Sequence, residues 1–329
     1  MKILRLFGLL VLLAVAAAGY GVFRLHQPYR AFTGEVFLEF PRGTSTEAMA
    51  AQLAQAGVVR SRWDFLLARL GARSRRLQAG EYRFDRPAAP RAVFDRIARG
   101  DIFYYELVVP EGKNLFDIAA AVEQLGLFRA DAFLAAARNP GLIRDLDPKA
   151  PTLEGYLFPN TYRLDRKTTP ESLCRTMTGR FREMWRGLHT NANLHDTVTL
   201  ASLVEREGKA PPERPVIAAV FVNRLRLGMK LDCDPTTIYA ALLDHHYRGT
   251  IYKSDLESEN PYNTYRHPGL PPGPIANPGL ASLKAALGPA DSEALYFVLR
   301  PDGSGTHEFS KNIAAHEAAT AKYRRGLQR

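Results

Sequence analysis

The chain changes hydrophobic period several times along its length. It opens with an uncharged run, Leu6 to Phe23, set between Lys2 and Arg5 on one side and Arg24, His26 and Arg30 on the other. Eighteen such residues lie at the lower end of a membrane-spanning helix. At 1.5 Å per residue they cover about 27 Å, and Lys2, Arg5 and Arg24 can reach the interfaces by snorkelling. Ala16-Ala17-Ala18 before Gly19 offers the small residues of a cleavable signal peptide as the rival reading. The pattern favours an uncleaved anchor, with the body exported in either case. Basic residues on both flanks do not fix the orientation.

Past the apolar run, short strand patterns alternate with helical ones. Val36 to Phe40 alternates as a strand, Pro41-Arg-Gly43 turns, Glu47 to Ala56 has helical spacing, Gly57-Val-Val-Arg60 breaks it, and Trp63 to Leu70 is helical again. Residues 107 to 138 repeat this order: Leu107-Val-Val-Pro110-Glu-Gly112, helix 116–125, Gly126-Leu-Phe-Arg129, helix 132–138. Pro, Gly, Gly and Arg recur in register, the Pro-x-Gly turn ending each strand and the second glycine closing each helix. The first copy continues into a strand at 78–84 and a helix at 91–98. The repeat reads equally as a glycan-recognising unit and as a structural spacer.

Farther on, the spacing predicts a helix ending in Leu200-Ala-Ser-Leu-Val-Glu205-Arg-Glu207, a second from Val216 to Leu227 stopped by Gly228, and a third over 280–287. A hairpin is expected from 294–299 and 306–310 around Pro301-Asp-Gly-Ser-Gly305. Between these, residues 260–279 are rich in Gly, Pro and amides, too stiff for a linker, and read as an ordered loop lining a groove. The fold class expected is α+β: an N-terminal membrane helix over residues 1–30, a small α/β subdomain over 31–105, and a mixed α+β domain over 106–329, of which 106–150 is a repeat-like entry segment.

Within the helix ending at Glu207, about 100° per residue sets Glu207 between Leu203 and Val204, on the apolar side, and turns Glu205 the opposite way, near Ala201. A carboxyl among apolar side chains has its ionised form destabilised, and this is how an enzyme keeps a general acid at neutral pH. A solvated glutamate at a fraying helix end before Gly208 is the bland reading. Ala150 to Tyr162 mixes aromatics with Glu154 and Asn160, a composition that suits sugar binding and suits an ordinary turn-rich loop still better. Asp232-Cys-Asp234 with His245-His246 nearby has the residue types of a metal site but not the spacing, so no metal and no cofactor is expected. Asp234 before Pro235 reads instead as a helix N-cap.

Composition adds three constraints. The 329 residues are enough for two or more domains, and the formal charge of +10 suits an anionic polymer or lipid. A membrane-tethered, exported chain makes nucleic acid an unsuitable partner. Two cysteines, Cys174 and Cys233, form no disulfide framework; they either pair or stay as isolated buried thiols.

The ordered set of Leu-Glu154-Gly-Tyr-Leu-Phe-Pro, Leu-Ala-Ser-Leu-Val-Glu205-Arg-Glu207, Val220-Phe-Val-Asn223-Arg-Leu, Asp234-Pro-Thr-Thr-Ile-Tyr, Tyr262-Asn263-Thr264-Tyr265, Gly269-Leu-Pro-Pro-Gly-Pro-Ile-Ala-Asn277-Pro-Gly and His307-Glu-Phe-Ser, behind an N-terminal anchor, resembles the MltG, or YceG-like, family of endolytic murein transglycosylases. Asn160 stands where the family commonly has aspartate and Gly208 where it commonly has threonine, and Ala315 and Glu317 alter the usual surroundings of His316. The resemblance implies a single-pass bacterial inner-membrane protein facing the periplasm, with a LysM-like subdomain before the catalytic domain. It implies cleavage of the MurNAc–GlcNAc β-1,4 bond in nascent peptidoglycan strands to leave a 1,6-anhydroMurNAc end, terminating strand elongation. Membrane-bound glycan polymerases, the penicillin-binding proteins, are the implied neighbours. Glu207 matches the family's catalytic residue. Glu154, Glu205, Asn223, Asp234, Tyr262, Asn263, Thr264, Tyr265 and Asn277 are the candidates for supporting or substrate-binding roles. A water-using muramidase, which needs Glu154, Glu205 or Asp234 as a base, and a non-catalytic glycan-binding scaffold are the alternatives.

Overall fold

The computed structural model describes residues 2–72, 74–208 and 210–326. Met1 and residues 327–329 of the expected domain bounds fall outside them, as do the side chains of residues 2–4, Lys2 included. The chain divides into two compact units, Met1–Tyr105 and Glu106–Arg329, and its elements are a mixture of helices and short strands.

The first unit begins with α1 (Lys2–His26), whose segment Arg5–His26 is long and apolar enough to cross a membrane by length and composition. The unit continues as β1 (Val36–Phe40), α2 (Thr46–Gln55), α3 (Arg62–Leu70), β2 (Gly80–Phe84) and α4 (Pro90–Arg99). β1 and β2 pair antiparallel, Val36 opposite Phe84 and Phe40 opposite Gly80. The inward side chains Phe40 and Tyr82 meet Leu53 of α2, Phe65 of α3, and Phe94 and Ile97 of α4 in one core. Ser45 caps α2, and Ser61 with Asp64 forms a capping box on α3.

The second unit opens with β3 (Tyr105–Val109), α5 (Leu115–Gln124), α6 (Ala130–Ala137), β4 (Asn160–Leu164) and α7 (Pro170–Gly187). β3 pairs with β4 in a second two-stranded sheet. The repeat therefore runs further than its sequence signature. Both copies are strand–helix–helix–strand–helix, but in the second a long loop separates α6 from β4 and dilutes the pattern. Gly43 and Gly112 end the turns after the two first strands, and Gly57 and Gly126 close the two first helices, all four at positive φ.

After the repeat come α8 (Leu194–Glu207), α9 (Arg214–Arg226), α10 (Asp234–Leu243), the single turn α11 (Lys253–Leu256), α12 (Leu280–Leu287), β5 (Tyr296–Leu299), β6 (His307–Ser310) and α13 (Ile313–Gly326). The expected hairpin forms with Tyr296 opposite Ser310 and Leu299 opposite His307. α8 is the central helix: every residue from Thr197 to Val204 is buried, and α12 and α9 pack against it. Leu200, Leu203 and Val204 share a core with Ile217, Phe221, Leu231, Cys233, Tyr239 and Ile275.

The expectation for 260–279 holds for Tyr265, which lines a cleft, but not for the end of the segment. The segment is ordered, but Gly273 to Gly279 are buried, threaded through the unit. Ile275 N–H donates to Ser202 Oγ (3.1 Å), and Asn277 is fully enclosed. Proline and glycine make the segment narrow enough to pass through a core, and side-chain acceptors serve its backbone there.

Candidate functional site

Glu207 is the last residue of α8, and Gly208 N–H closes the helix on Val204 O at 2.8 Å. A Cβ on Gly208 would stand 2.9 Å from both Val204 O and Arg214 Cγ, so the stem of Arg214 fills the space that a threonine would need. Glu207 lies on the wall of a cleft of about 380 Å³, shared with Asp234, Tyr265, Arg224, Tyr296 and His316. Its Oε1 accepts a hydrogen bond from Cys233 Sγ at 3.3 Å. Oε2 makes no hydrogen bond to the described residues. Burial raises the carboxyl to about 7, helped by the nearby Asp234 charge, while the Cys233 thiol and Arg206 pull the other way. At neutral pH the group is therefore divided between its acid and its carboxylate. Cys233 is itself buried, and burial with the adjacent Glu207 holds its thiol protonated. Cys174 and Cys233 are both free thiols.

Asp234 is exposed and accepts from Tyr265 O–H at 2.6 Å. The N-cap expected there is displaced by one residue. Cys233 occupies the cap, Asp234 is the first helical residue, and its side chain serves Tyr265 rather than the helix backbone. Burial and the Asp234 charge push the Tyr265 phenol up, so it stays a donor.

The far wall comes from Arg224 of α9 and from the C-terminal hairpin and helix; the hairpin was expected, but none of these residues was a candidate for the site. Arg224 donates from Nε to Leu295 O (2.7 Å) and from Nη1 to Lys230 O, Leu231 O and Asp232 Oδ2. Its guanidinium lies 4.9 Å from the centre of the Tyr296 ring, and Tyr296 stacks on His316 at 5.1 Å. Burial and Arg224 lower the His316 pKa, so the ring is neutral at physiological pH. The sequence signals for this wall were Arg224 within the Val220–Leu225 motif and the departure from the usual residues around His316.

The remaining candidates do not line this cleft. Glu154 is 1% exposed; it accepts from Leu115 N–H at the start of α5 and from Asn277 Nδ2, both at 2.9 Å. Burial pushes it up to about 8 despite those donors. Asn277 also receives Leu157 N–H and donates to Lys113 O. Glu205 accepts from Arg214 Nη2 at 2.8 Å and from Gly279 N–H at 2.9 Å, with its side chain 4% exposed. Asn223 donates to Ser292 O and Ala294 O, tying α9 to the entry of β5. Asn263 donates to Asp255 O, Leu256 O and Ser258 O and accepts from Tyr265 N–H. Thr264 accepts from Cys233 N–H. Tyr262 packs on Tyr239 at 5.1 Å. Thr264 and Asn263 thus brace the backbone that carries Cys233 and Tyr265.

For metal, Asp232 and Asp234 lie beside one cleft, whereas His246 bonds Asp255 at the other end of α10. Among the described residues no group of three His, Cys, Asp or Glu side chains converges on one point.

Known proteins with this pattern agree on one group. A model of the YceG-like family matches residues 38–322. A Bacillus subtilis protein named endolytic murein transglycosylase is 33% identical over 311 residues, 88% of this chain and 84% of that protein. A Streptococcus pneumoniae protein of the same name is 30% identical over 321 residues, and there the chain spans 58% of the relative's length. A crystal structure of a yceG-like protein from Listeria monocytogenes superposes with a TM-score of 0.57 at 27% identity, over 86% of this chain and 98% of that one.

Proposed function

The chain belongs to the YceG-like family, and from that premise we propose that it is an endolytic murein transglycosylase whose single essential acid is Glu207. The observation that carries the assignment is a carboxyl on the wall of a cleft, poised at about 7, with one oxygen free of hydrogen bonds to the described residues. Protonated Glu207 donates to the glycosidic oxygen as the bond to C1 of MurNAc breaks and an oxocarbenium-like centre develops. The Glu207 carboxylate then takes the proton of the C6 hydroxyl of the same sugar as that oxygen bonds to C1. The acid is regenerated, no water enters, and the products are a free GlcNAc hydroxyl and a 1,6-anhydroMurNAc end. A tethered nucleophile avoids most of the entropic cost of recruiting one, so one carboxyl suffices.

The wall of Arg224, Tyr296 and His316 suits a sugar strand: an aromatic face for a pyranose ring and a fixed cation for acetamido or carboxyl oxygens. We read the two βααβα units as LysM-like glycan grips, α1 as an uncleaved inner-membrane anchor, and the body as periplasmic. An anchored enzyme meets glycan strands as they leave membrane-bound polymerases, which makes such polymerases its natural neighbours and strand termination its outcome.

One observation keeps hydrolysis as a second reading: Asp234 shares the cleft with Glu207 and would serve as the base for a water. Mass spectrometry of the glycan ends left by the purified protein separates the two. Anhydro ends are expected; reducing ends would make the protein a muramidase.

A further inference from the structure

The first unit turns apolar side chains outward on α3. Trp63 is 64% exposed, Leu70 55% and Leu67 37%. With Leu66, Arg69 and Glu47 they line a shallow groove of about 610 Å³. The inward face of α3 is already occupied: Phe65 and Ala68 are in the core, and Asp64 bonds Ser61 N–H and Arg24. The helix is thus apolar on two faces, and water suits only a charged outer one.

The position of α1 says what covers the second face. Arg24 grips both oxygens of Asp64 at 2.9 and 2.7 Å. A Cβ built on Gly21 would stand 3.2 Å from Leu67 Cδ2. Gly21 lies inside the uncharged run, about 4.5 Å along the helix axis from Arg24. A side chain that touches Gly21 stands at the depth of the last turn of that run. Trp63 and Leu70 flank Leu67 at i−4 and i+3 on the same face of α3. Beside them the Arg62 guanidinium covers the Trp63 ring at 4.9 Å, and Arg24 lies over Tyr20 at 5.9 Å. Rings with a cation alongside are what the headgroup layer of a bilayer accommodates.

We propose that α3 is an interfacial helix: Trp63, Leu67 and Leu70 bed into the border between headgroups and acyl chains beside the exit of α1, with Arg62 and Arg69 against anionic headgroups. The proposal rests on the reading of α1 as a membrane anchor. Glu47 is the groove residue that cannot enter an apolar layer, so only the Trp63–Leu67–Leu70 edge is immersed. The membrane then holds the first unit at two points, and the unit does not swing freely on α1.

The test uses the full chain in phosphatidylethanolamine–phosphatidylglycerol vesicles. Trp63 and Trp185 are its two tryptophans, so Trp185→Phe leaves Trp63 as the single reporter. Lipids brominated on the upper acyl chain are expected to quench most of its emission, which is blue-shifted. A second variant, Trp63→Phe with Trp185→Phe and Leu12→Trp, reports the anchor and is expected to be quenched by bromines near the chain ends. Quenching of the Leu12→Trp probe with Trp63 red-shifted and unquenched overturns the docking and leaves the anchor intact. Quenching of neither overturns the anchor and the docking with it. A blue-shifted but unquenched Trp63 puts protein rather than lipid over the ring and also overturns the proposal. Leu67→Glu with Leu70→Glu is expected to relieve the quenching of Trp63 and, placed in the Leu12→Trp background, to leave the quenching of the anchor probe unchanged.

Discussion

Glu154 and Glu207 are two glutamates of one unit, both raised by burial, to about 8 and about 7, yet their surroundings suit them to opposite tasks. Glu154 offers both oxygens to N–H donors and has no solvent face. It joins the start of α5 to the buried 273–279 segment, with each oxygen engaged and no open path for a ligand. Glu207 has a single soft donor, the Cys233 thiol, on one oxygen; the other makes no hydrogen bond to the described residues, and the residue lines the cleft. A raised carboxyl pKa is therefore not enough to mark an acid. What distinguishes the two is hydrogen-bond saturation: a carboxyl whose acceptors are all engaged holds structure, and one with an acceptor in reserve can exchange a proton. Glu205 falls with Glu154, since Arg214 and Gly279 N–H engage it completely.

The comparison breaks most visibly at Glu207→Gln. The amide keeps the volume but cannot act as an acid, and turnover of purified glycan strands is expected to fall on the order of 10²–10⁴-fold. The fold should persist. The Glu207 pKa is higher in the folded state than in the unfolded chain, so its contribution to stability is fully present below about 4.5 and is lost as pH rises through about 7. Denaturant melts should accordingly show the Gln variant gaining on the wild type by on the order of 1–3 kcal/mol above pH 8 and not below pH 4. Unchanged turnover would remove Glu207 from the mechanism.

Glu205→Ala attacks a brace instead. It leaves Arg214 with the looser Glu111 contact at 3.6 Å and its Nε bond to Gly208 O at 3.4 Å, and orphans Gly279 N–H. A loss of about 3 kcal/mol in unfolding free energy is expected, with the surviving folded enzyme still active. A variant that stays fully stable yet inactive would show that the wrong glutamate of the pair was assigned the chemistry.

Glu154→Gln sharpens the same contrast at smaller scale. The new NH₂ must face either Leu115 N–H or Asn277 Nδ2, donor against donor, at a cost of about 1–3 kcal/mol. Thermal unfolding should shift while turnover below the melting transition stays close to wild type. Turnover that collapses in a stable Glu154→Gln protein would mean that this carboxyl reaches the substrate.

Cys233→Ala gives the smallest effect. The thiol favours the ionised form of Glu207, so its removal should move the falling alkaline limb of the pH–rate profile upward by less than about one unit. A downward move would mean that the thiol does not donate to Glu207.

The sequence pattern located what depends on near neighbours. Helical spacing turned Glu207 and Glu205 to different sides of α8, but the helix is buried all round, so spacing did not separate an apolar side from a polar one. Recurring Pro and Gly exposed the duplicated strand–helix–helix unit, and the bounds of α12 were legible to the residue because Gly279 and Gly288 flank them. Those signals are local: a period of 3.6, a turn that needs positive φ, a proline that ends a strand. The resemblance left Glu154, Asn263, Thr264 and Asn277 as candidates for supporting or substrate-binding roles, and Arg224, Tyr296 and His316 were not among the site candidates. Only the tertiary structure decided these. Asn277 meets Lys113 across 164 positions and Glu154 across 123, and the Tyr296–His316 wall reaches Glu207 from the far end of the unit. Whether a buried polar group is saturated depends on donors that the fold delivers from distant positions, and no periodicity along the chain encodes that count.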